Sequence, residues 1–193
     1  MMRDLLFQPG PTFRTLAKAN DPRVSLLRGP LRLLFFLACL VSFLASGTLN
    51  LRLLTDGAIS FAFVPIIQVA ALACTGRSAP RPSLTFTRRV DLFFAGFVPW
   101  LLWIIVVGAV LAIVPPQAQG DWLKPIAIGC LLPLLWSLWI DFNFFRQVGP
   151  RTERGAMVDL LVQRGIGWTA TLGYFLGVAA WPEFWWLISK VRS

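Results

Sequence analysis

Five apolar runs, each long enough to cross a bilayer, constrain this 193-residue chain more than any other feature. A membrane-crossing helix needs about 20 mainly apolar residues. The runs fall at residues 33–51, 57–75, 91–113, 125–145 and 166–188, separated by short polar or basic stretches. Hydrophobic residues make up 56% of the chain and the mean hydropathy is +0.68, against about 45 to 50% apolar content in a soluble domain, so little sequence remains for a separate soluble unit. The expected fold is an all-α membrane protein. A bundle of about five transmembrane helices occupies 33–189, a cytosolic or interfacial segment with short interfacial helices precedes it at 1–32, and 190–193 form a short tail. The first run starts too far in for an ordinary signal peptide and is expected to stay as the first span.

The net charge of +9, from 18 Lys and Arg against 9 Asp and Glu, could point to nucleic acid or to a membrane. With the N terminus inside and five spans, only Arg52, Lys124, Lys190 and Arg192 lie outside, while the other 14 basic residues, Arg164 among them, lie inside. That asymmetry is the positive-inside pattern. It accounts for the basic balance without nucleic acid, and the same basic face would attract anionic lipid headgroups.

The chain has no His, which removes imidazole bases, His metal sites and His-dependent triads. Cys39, Cys74 and Cys130 each lie inside an apolar run with no short pairing, and are expected to be buried thiols acting as small hydrophobes. No phosphate-binding glycine loop and no acidic cluster suited to magnesium appears. The expectation is a non-enzymatic protein with no cofactor and no metal.

Prolines at 9, 11, 22 and 30 limit the entry segment to short helical pieces, one of them from Thr12 to about Lys18 with Phe13, Leu16 and Ala17 on one side. That stripe, flanked by Arg14 and Lys18, suits the headgroup zone. Within the first run Ala38, Ser42 and Ser46 recur every fourth residue, a spacing that lets a neighbouring helix approach, and the first two spans are expected to pair as a hairpin. Gly173 and Gly177, extended by Thr169, repeat the pattern in the last run, for packing within the bundle or, alternatively, for a homodimer. Between the fourth and fifth runs Met157, Leu160 and Leu161, with Arg164 next in the series, fall at helical spacing, Thr152 can cap and Gly165 can stop. This reads as a short helix lying on the membrane. Pro65, Pro99, Pro133 and Pro182 predict kinks. Trp122, Trp168, Trp181, Trp185 and Trp186 sit near proposed span ends as interfacial anchors, and Trp100, Trp103, Trp136 and Trp139 are assigned to packing.

Ionisable residues inside spans are functional candidates by default, and the sequence offers two. Asp91 opens the third run beside Arg88 and Arg89, and Asp141 lies near the inner end of the fourth, five residues before Arg146. Ionised carboxylates in structural or interaction ion pairs are the leading reading, a proton or ion relay the second, and a shared-proton aspartyl dyad the third, since no Gly-x-Gly-Asp accompanies either acid. Gln68 and Asn143 are expected to bridge helices, and Glu183 to reach water.

The opening LLFQPGPTF, the arginines before a span containing AGFVPW, and LLWSLWIDFNFFRQVG followed by RGAMVDLLVQRGIGW together resemble the YIP family of small integral membrane proteins. The resemblance covers most of the chain and implies a five-helix membrane domain with a cytosolic N terminus. Eukaryotic members are associated with Rab-type GTPases and vesicle traffic, but their Asp-Leu-Tyr-Gly-Pro stretch and long soluble N-terminal region have no counterpart here. The chain looks more like the bacterial branch, which implies a multi-pass protein of the inner membrane.

The leading functional expectation is an adaptor or scaffold that presents its basic cytosolic face to a protein partner or to anionic lipid. Its candidate residues are Asp141, Phe144, Phe145 and Arg146, with Asp91, Arg88 and Arg89 across from them, and Pro9 and Phe13 in the entry segment. Helix termination and interfacial anchoring are the simpler roles for each. The alternative is a small transporter or transporter subunit with Gln68, Pro65, Pro99 and Asp141 along a path between kinked helices.

Overall fold

Three of the breaks between helices in this chain fall at prolines. A computed structural model describes residues 2–18, 28–75, 84–148 and 152–191, and among them every regular element is helical. A proline at position i cannot donate to the carbonyl of i−4. Three helices end on that i−4 residue: α4 (Leu51–Phe61) before Pro65 of α5 (Phe63–Cys74), α6 (Phe86–Ala95) before Pro99 of α7 (Val98–Ile113), and α8 (Gln119–Gly129) before Pro133 of α9 (Leu131–Val148). The expected kinks at these three prolines are therefore helix breaks, and α6 and α7 meet at 45°.

The entry segment forms α1 (Met2–Phe7) and α2 (Pro9–Lys18). The piece expected from Thr12 starts three residues earlier, because Pro9 and Pro11 occupy the first turn, where no backbone N–H is needed. In α3 (Arg28–Ser46), Pro30 has the same first-turn place, so the helix starts five residues ahead of the expected span. It ends at Gly47, whose φ of +69° is the left-handed conformation that glycine adopts without penalty. Asn50 caps α4 by accepting the Arg52 N–H at 2.9 Å, and Thr85 caps α6 by accepting from Arg88 at 3.3 Å.

The last helix, α10, runs unbroken over 39 residues, Glu153–Val191. Thr152 caps it as expected, accepting the Gly155 N–H at 3.2 Å. The expected stop at Gly165 is overturned: a mid-helix glycine costs only about 1 kcal/mol, and Gly165 lacks the left-handed turn that ends α3. The short membrane-surface helix and the fifth run are thus one element, which continues through Pro182.

Arg28–Ser46, Leu51–Cys74 and Gln119–Val148 are each long and apolar enough to cross a membrane, and the bent α6 and α7 pair makes a fourth among the described residues. The chain is therefore an all-helical membrane protein with three to four such stretches in its described part. Arg23, Arg77, Arg81, Arg151 and Arg192, with the side chains of Trp181, Glu183, Trp185, Trp186 and Lys190, lie outside the described residues.

The hairpin of α3 and α4 closes where small residues meet. A Cβ on Gly57 would lie 3.0 Å from Val41 Cβ and 3.1 Å from Ala38 Cα. Ser42 ties the turn by donating to the Thr48 carbonyl at 2.8 Å and accepting the Asn50 N–H at 2.9 Å. The core is aromatic: Phe13, Phe93 and Phe144 are fully buried, with ring centroids 5.5 Å apart for both Phe13–Phe144 and Phe93–Phe144.

Four expectations about packing fail. Phe13, expected among lipid headgroups, docks α2 onto α9, and Trp136 of α9 donates its indole N–H to the Leu6 carbonyl at 3.0 Å. No cysteine is buried: Cys39 and Cys130 are half-buried and Cys74 is exposed, and the Cys130 sulfur accepts the Trp103 indole N–H at 3.1 Å. Gly173 and Gly177 meet nothing within 4 Å of a built Cβ, so they do not pack within the described bundle. Trp139 is also exposed, unlike Trp100, Trp103 and Trp136, which are at least partly buried.

Side-chain contacts bring several helix ends together. Arg14 of α2 donates to Gln147 of α9 at 3.0 Å, Arg88 of α6 to the Leu16 carbonyl at 2.9 Å, and Arg89 to Thr75 beside α5 at 3.2 Å. Gly29 of α3 presses on Phe94 of α6, and Arg146 of α9 pairs with Glu153 of α10 at 2.8 Å. The starts of α3, α6 and α10 and the ends of α5 and α9 thus share one end of the bundle with α2.

Candidate functional site

Ser137 and Asp141 are four residues apart on α9, so they share one face. That face meets α10, where Gln163 and Arg164 are adjacent and point about 100° apart, one toward α5 and one toward α9. Arg164 Nη2 donates to Asp141 Oδ2 and, at 2.9 Å, to Ser137 Oγ. Ser137 donates in turn to the Leu134 carbonyl at 2.9 Å. On the other side Gln163 Nε2 donates to Gln68 Oε1 of α5 at 2.5 Å. Gly167, one turn further along α10, faces the same side chain, and a Cβ there would touch Gln68 Nε2 at an ordinary 3.5 Å.

The result is a polar seam joining α5, α9 and α10 inside otherwise apolar helices. Asp141 is 1% exposed and Gln163 0%, and Asp159, one turn before Gln163, is buried as well. Isolated charges at such depth are costly; opposite charges joined by hydrogen bonds offset much of that. Two atoms of the seam, Gln163 Oε1 and Arg164 Nε, are buried without a hydrogen-bond partner. No group of three or more metal-binding side chains occurs among the described residues.

This arrangement corrects the expected partner of Asp141. Arg146, nearest in sequence, is five residues away and leans the other way along α9 to Glu153, whereas Arg164 crosses from α10. Arg164, counted among the solvated inner charges, is itself buried. Gln68 does bridge helices. Asn143 makes its hydrogen bond within its own helix, to the Trp139 carbonyl at 2.8 Å, and meets α2 by packing alone, its Oδ1 lying against Gly10.

Asp91 has a different setting. It is 7% exposed, both its carboxylate oxygens lack a hydrogen-bond partner, and the cations acting on it are Arg88, Arg28 and Arg32. The charge acting on Asp141 is that of Arg164. The two acids thus have separate neighbours, which leaves the shared-proton dyad without a geometric basis.

The other candidate residues divide between core and surface. Pro9, Phe13, Phe144 and Phe145 are buried and hold the bundle together, so they cannot be surface contacts. Pro65 and Pro99 are buried at the two helix breaks. Arg88, Arg89 and Arg146 remain accessible in part at the basic end. Sequence reasoning missed Ser137 and Gln163, although a signal was there: polar residues at four-residue spacing, Ser137 with Asp141 and Asp159 with Gln163, imply two inward polar faces that must meet. Comparison with protein-family models, with curated proteins and with solved structures gives no match for this chain.

Proposed function

We propose that this chain is a non-enzymatic membrane scaffold with five spans, its N terminus and basic end cytoplasmic at a bacterial inner membrane, which offers that end to anionic lipid or a protein partner. The observation that supports this reading is convergence. Arg14, Arg28, Arg32, Arg88, Arg89 and Arg146 come from four helices and gather at one end. A basic residue near an anionic leaflet is worth about 1 kcal/mol, so a cluster of this size gives that end a strong preference for negative surfaces. The fifth span in this proposal is the outer part of α10, whose 39 residues extend for about 58 Å at 1.5 Å per residue. Membership of the YIP family belongs to the same proposal and rests on the motif blocks above; a GTPase partner does not follow, because the stretch associated with it is missing.

Two measurements test the reading. A topology reporter fused after Ser193 is expected outside, and an inside signal would remove the fifth span. Crosslinking in cells, followed by mass spectrometry of the purified full chain, is expected to find a stoichiometric protein or anionic lipid that Arg146→Ala weakens. Deletion of residues 1–20 is unsuitable here, because it removes Leu5 and Phe13 from the core.

The second reading, transport, is favoured by one observation: Gln163 Oε1 and Arg164 Nε are buried polar atoms left without partners between α5, α9 and α10. On this reading Gln68, Pro65, Pro99 and Asp141 lie along the path, and Asp141→Asn, checked for folding because it leaves Arg164 unpaired, abolishes ion flux in proteoliposomes. A flux-free wild-type chain would end it.

A further inference from the structure

Arg28, Arg32, Phe36, Cys39 and Phe43 follow one another along α3 at spacings of four, four, three and four, which places them on one face of the helix. The apolar part of that face borders a groove of about 280 Å³ between α3 and α7, walled on the α7 side by Ile104, Gly108 and Ala112. The two helices run in the same direction and line the groove from Phe36 to Phe43 on α3 and from Ile104 to Ala112 on α7, so it extends for about 10 Å along them at 1.5 Å per residue. It lies within spans, where the available apolar molecule is a lipid chain. Arg32 is one turn from Phe36 at the groove's basic end. Arg28 and Arg32 are exposed and have no hydrogen bond or ion pair among the described residues. The acid that faces them, Asp91, is also near Arg88, so three cations surround one carboxylate and the group stays net positive.

An apolar slot with two uncommitted guanidiniums directly above it has the polarity of one molecule in the membrane. We propose that the α3 and α7 groove holds an acyl chain of an anionic phospholipid whose phosphate is bound by Arg28 and Arg32. This deepens the scaffold reading and rests on it for the placement of the basic end at an anionic leaflet. Gly108 helps keep the slot open: it lines the groove, and a Cβ built there meets nothing within 4 Å, so a side chain added at this position starts into open space.

The test is lipid retention by the full chain purified in mild detergent, measured by native mass spectrometry with phosphatidylglycerol and phosphatidylcholine of identical chains. Two basic residues, partly offset by Asp91, predict a preference for phosphatidylglycerol of roughly tenfold. The Arg28→Gln, Arg32→Gln double variant is expected to lose the preference and hold both lipids equally. Gly108→Leu is expected to reduce retention of both by tenfold or more with an unchanged unfolding midpoint; if that variant misfolds, Ala112→Leu at the exposed rim takes its place. In a chain with Cys74 and Cys130 changed to Ala, added phosphatidylglycerol is expected to slow alkylation of Cys39 severalfold. Equal retention of the two lipids by the wild-type chain, undiminished retention after the groove is filled, or displacement of the lipid by inorganic phosphate alone would overturn the proposal. A crosslinked protein partner in the face of those results would leave the scaffold reading standing without it; specific lipid retention with an inside C terminus would keep the lipid site and remove the five-span scaffold.

Discussion

Arg164 reaches from α10 to Asp141 on α9 through a single nitrogen, Nη2, that also donates to Ser137, and both charges are withdrawn from water at 7% and 1% exposure. The pair is local in space but 23 residues apart in sequence, and it closes the helical hairpin that begins at the Arg146–Glu153 ion pair. Removing one partner leaves the other as a bare charge in an apolar setting, whereas removing both leaves only a packing problem.

Asp141→Leu and Arg164→Leu, each alone, are therefore expected to destabilise the fold by about 3 to 5 kcal/mol, the usual loss when a buried ion pair is broken on one side. The double substitution Asp141→Leu with Arg164→Leu is expected to recover most of that. Thermal unfolding in detergent, run as a double-mutant cycle, reads the coupling directly. Additive losses from the two single changes would mean that the pair is not coupled in the folded protein.

The Gly57 and Gly173 positions make a second contrast. Gly57 sits against backbone, at 3.1 Å from Ala38 Cα, while Gly173 faces open space on α10. Gly57→Ala is expected to cost about 1 to 3 kcal/mol by overpacking. Gly173→Ala is expected to stabilise its helix by up to about 1 kcal/mol, unless a second copy of the chain covers that face. Unfolding midpoints of the two variants, with the oligomeric state of Gly173→Ala alongside, separate these cases.

Much of the architecture was legible in the sequence because a bilayer imposes length and polarity on every span. The apolar runs, the first hairpin, the Thr152 cap and the importance of Pro65, Pro99 and Pro133 all follow from local chemistry. Which basic residue pairs with Asp141 does not, since Arg146 and Arg164 are equally cationic and only the antiparallel register of α9 and α10 selects between them. Gly165 misled for a related reason: glycine permits a stop but does not impose one, and Gln163, Arg164 and Gly167 on either side of it contact two neighbouring helices, which favours α10 continuing through it. The entry segment was misplaced because Phe13 suits a headgroup zone and a protein core equally well, and its contact with Phe144 is 131 residues distant in sequence.

Phe13→Ala is expected to detach that segment. The ring is fully buried against Phe144, and loss of such a side chain costs about 3 to 5 kcal/mol. Arg14→Ala, which removes only an exposed contact with Gln147, is expected to change little. Trypsin cleavage at Arg14 and Lys18, timed by mass spectrometry, is expected to accelerate strongly in Phe13→Ala and to spare the rest of the chain. Equal protection of Lys18 in both variants would show that α2 is held by something other than the aromatic contact.

Cys74 can report which way the basic end faces. It is exposed at the end of α5, one residue before Thr75, whose hydroxyl accepts from Arg89. Cys39, eleven residues into α3, lies about 16 Å further along the bundle at 1.5 Å per residue, at bilayer depth. In a chain whose sole cysteine is Cys74, a membrane-impermeant maleimide is expected to label inverted membrane vesicles and spare right-side-out ones, because the basic end is drawn to the cytoplasmic side. A chain whose sole cysteine is Cys39 is expected to stay unlabelled in both. Labelling of Cys74 in right-side-out vesicles alone would invert the topology and place the convergent arginines against the outer leaflet, where the charge asymmetry that supports the scaffold reading would have no anionic surface to meet.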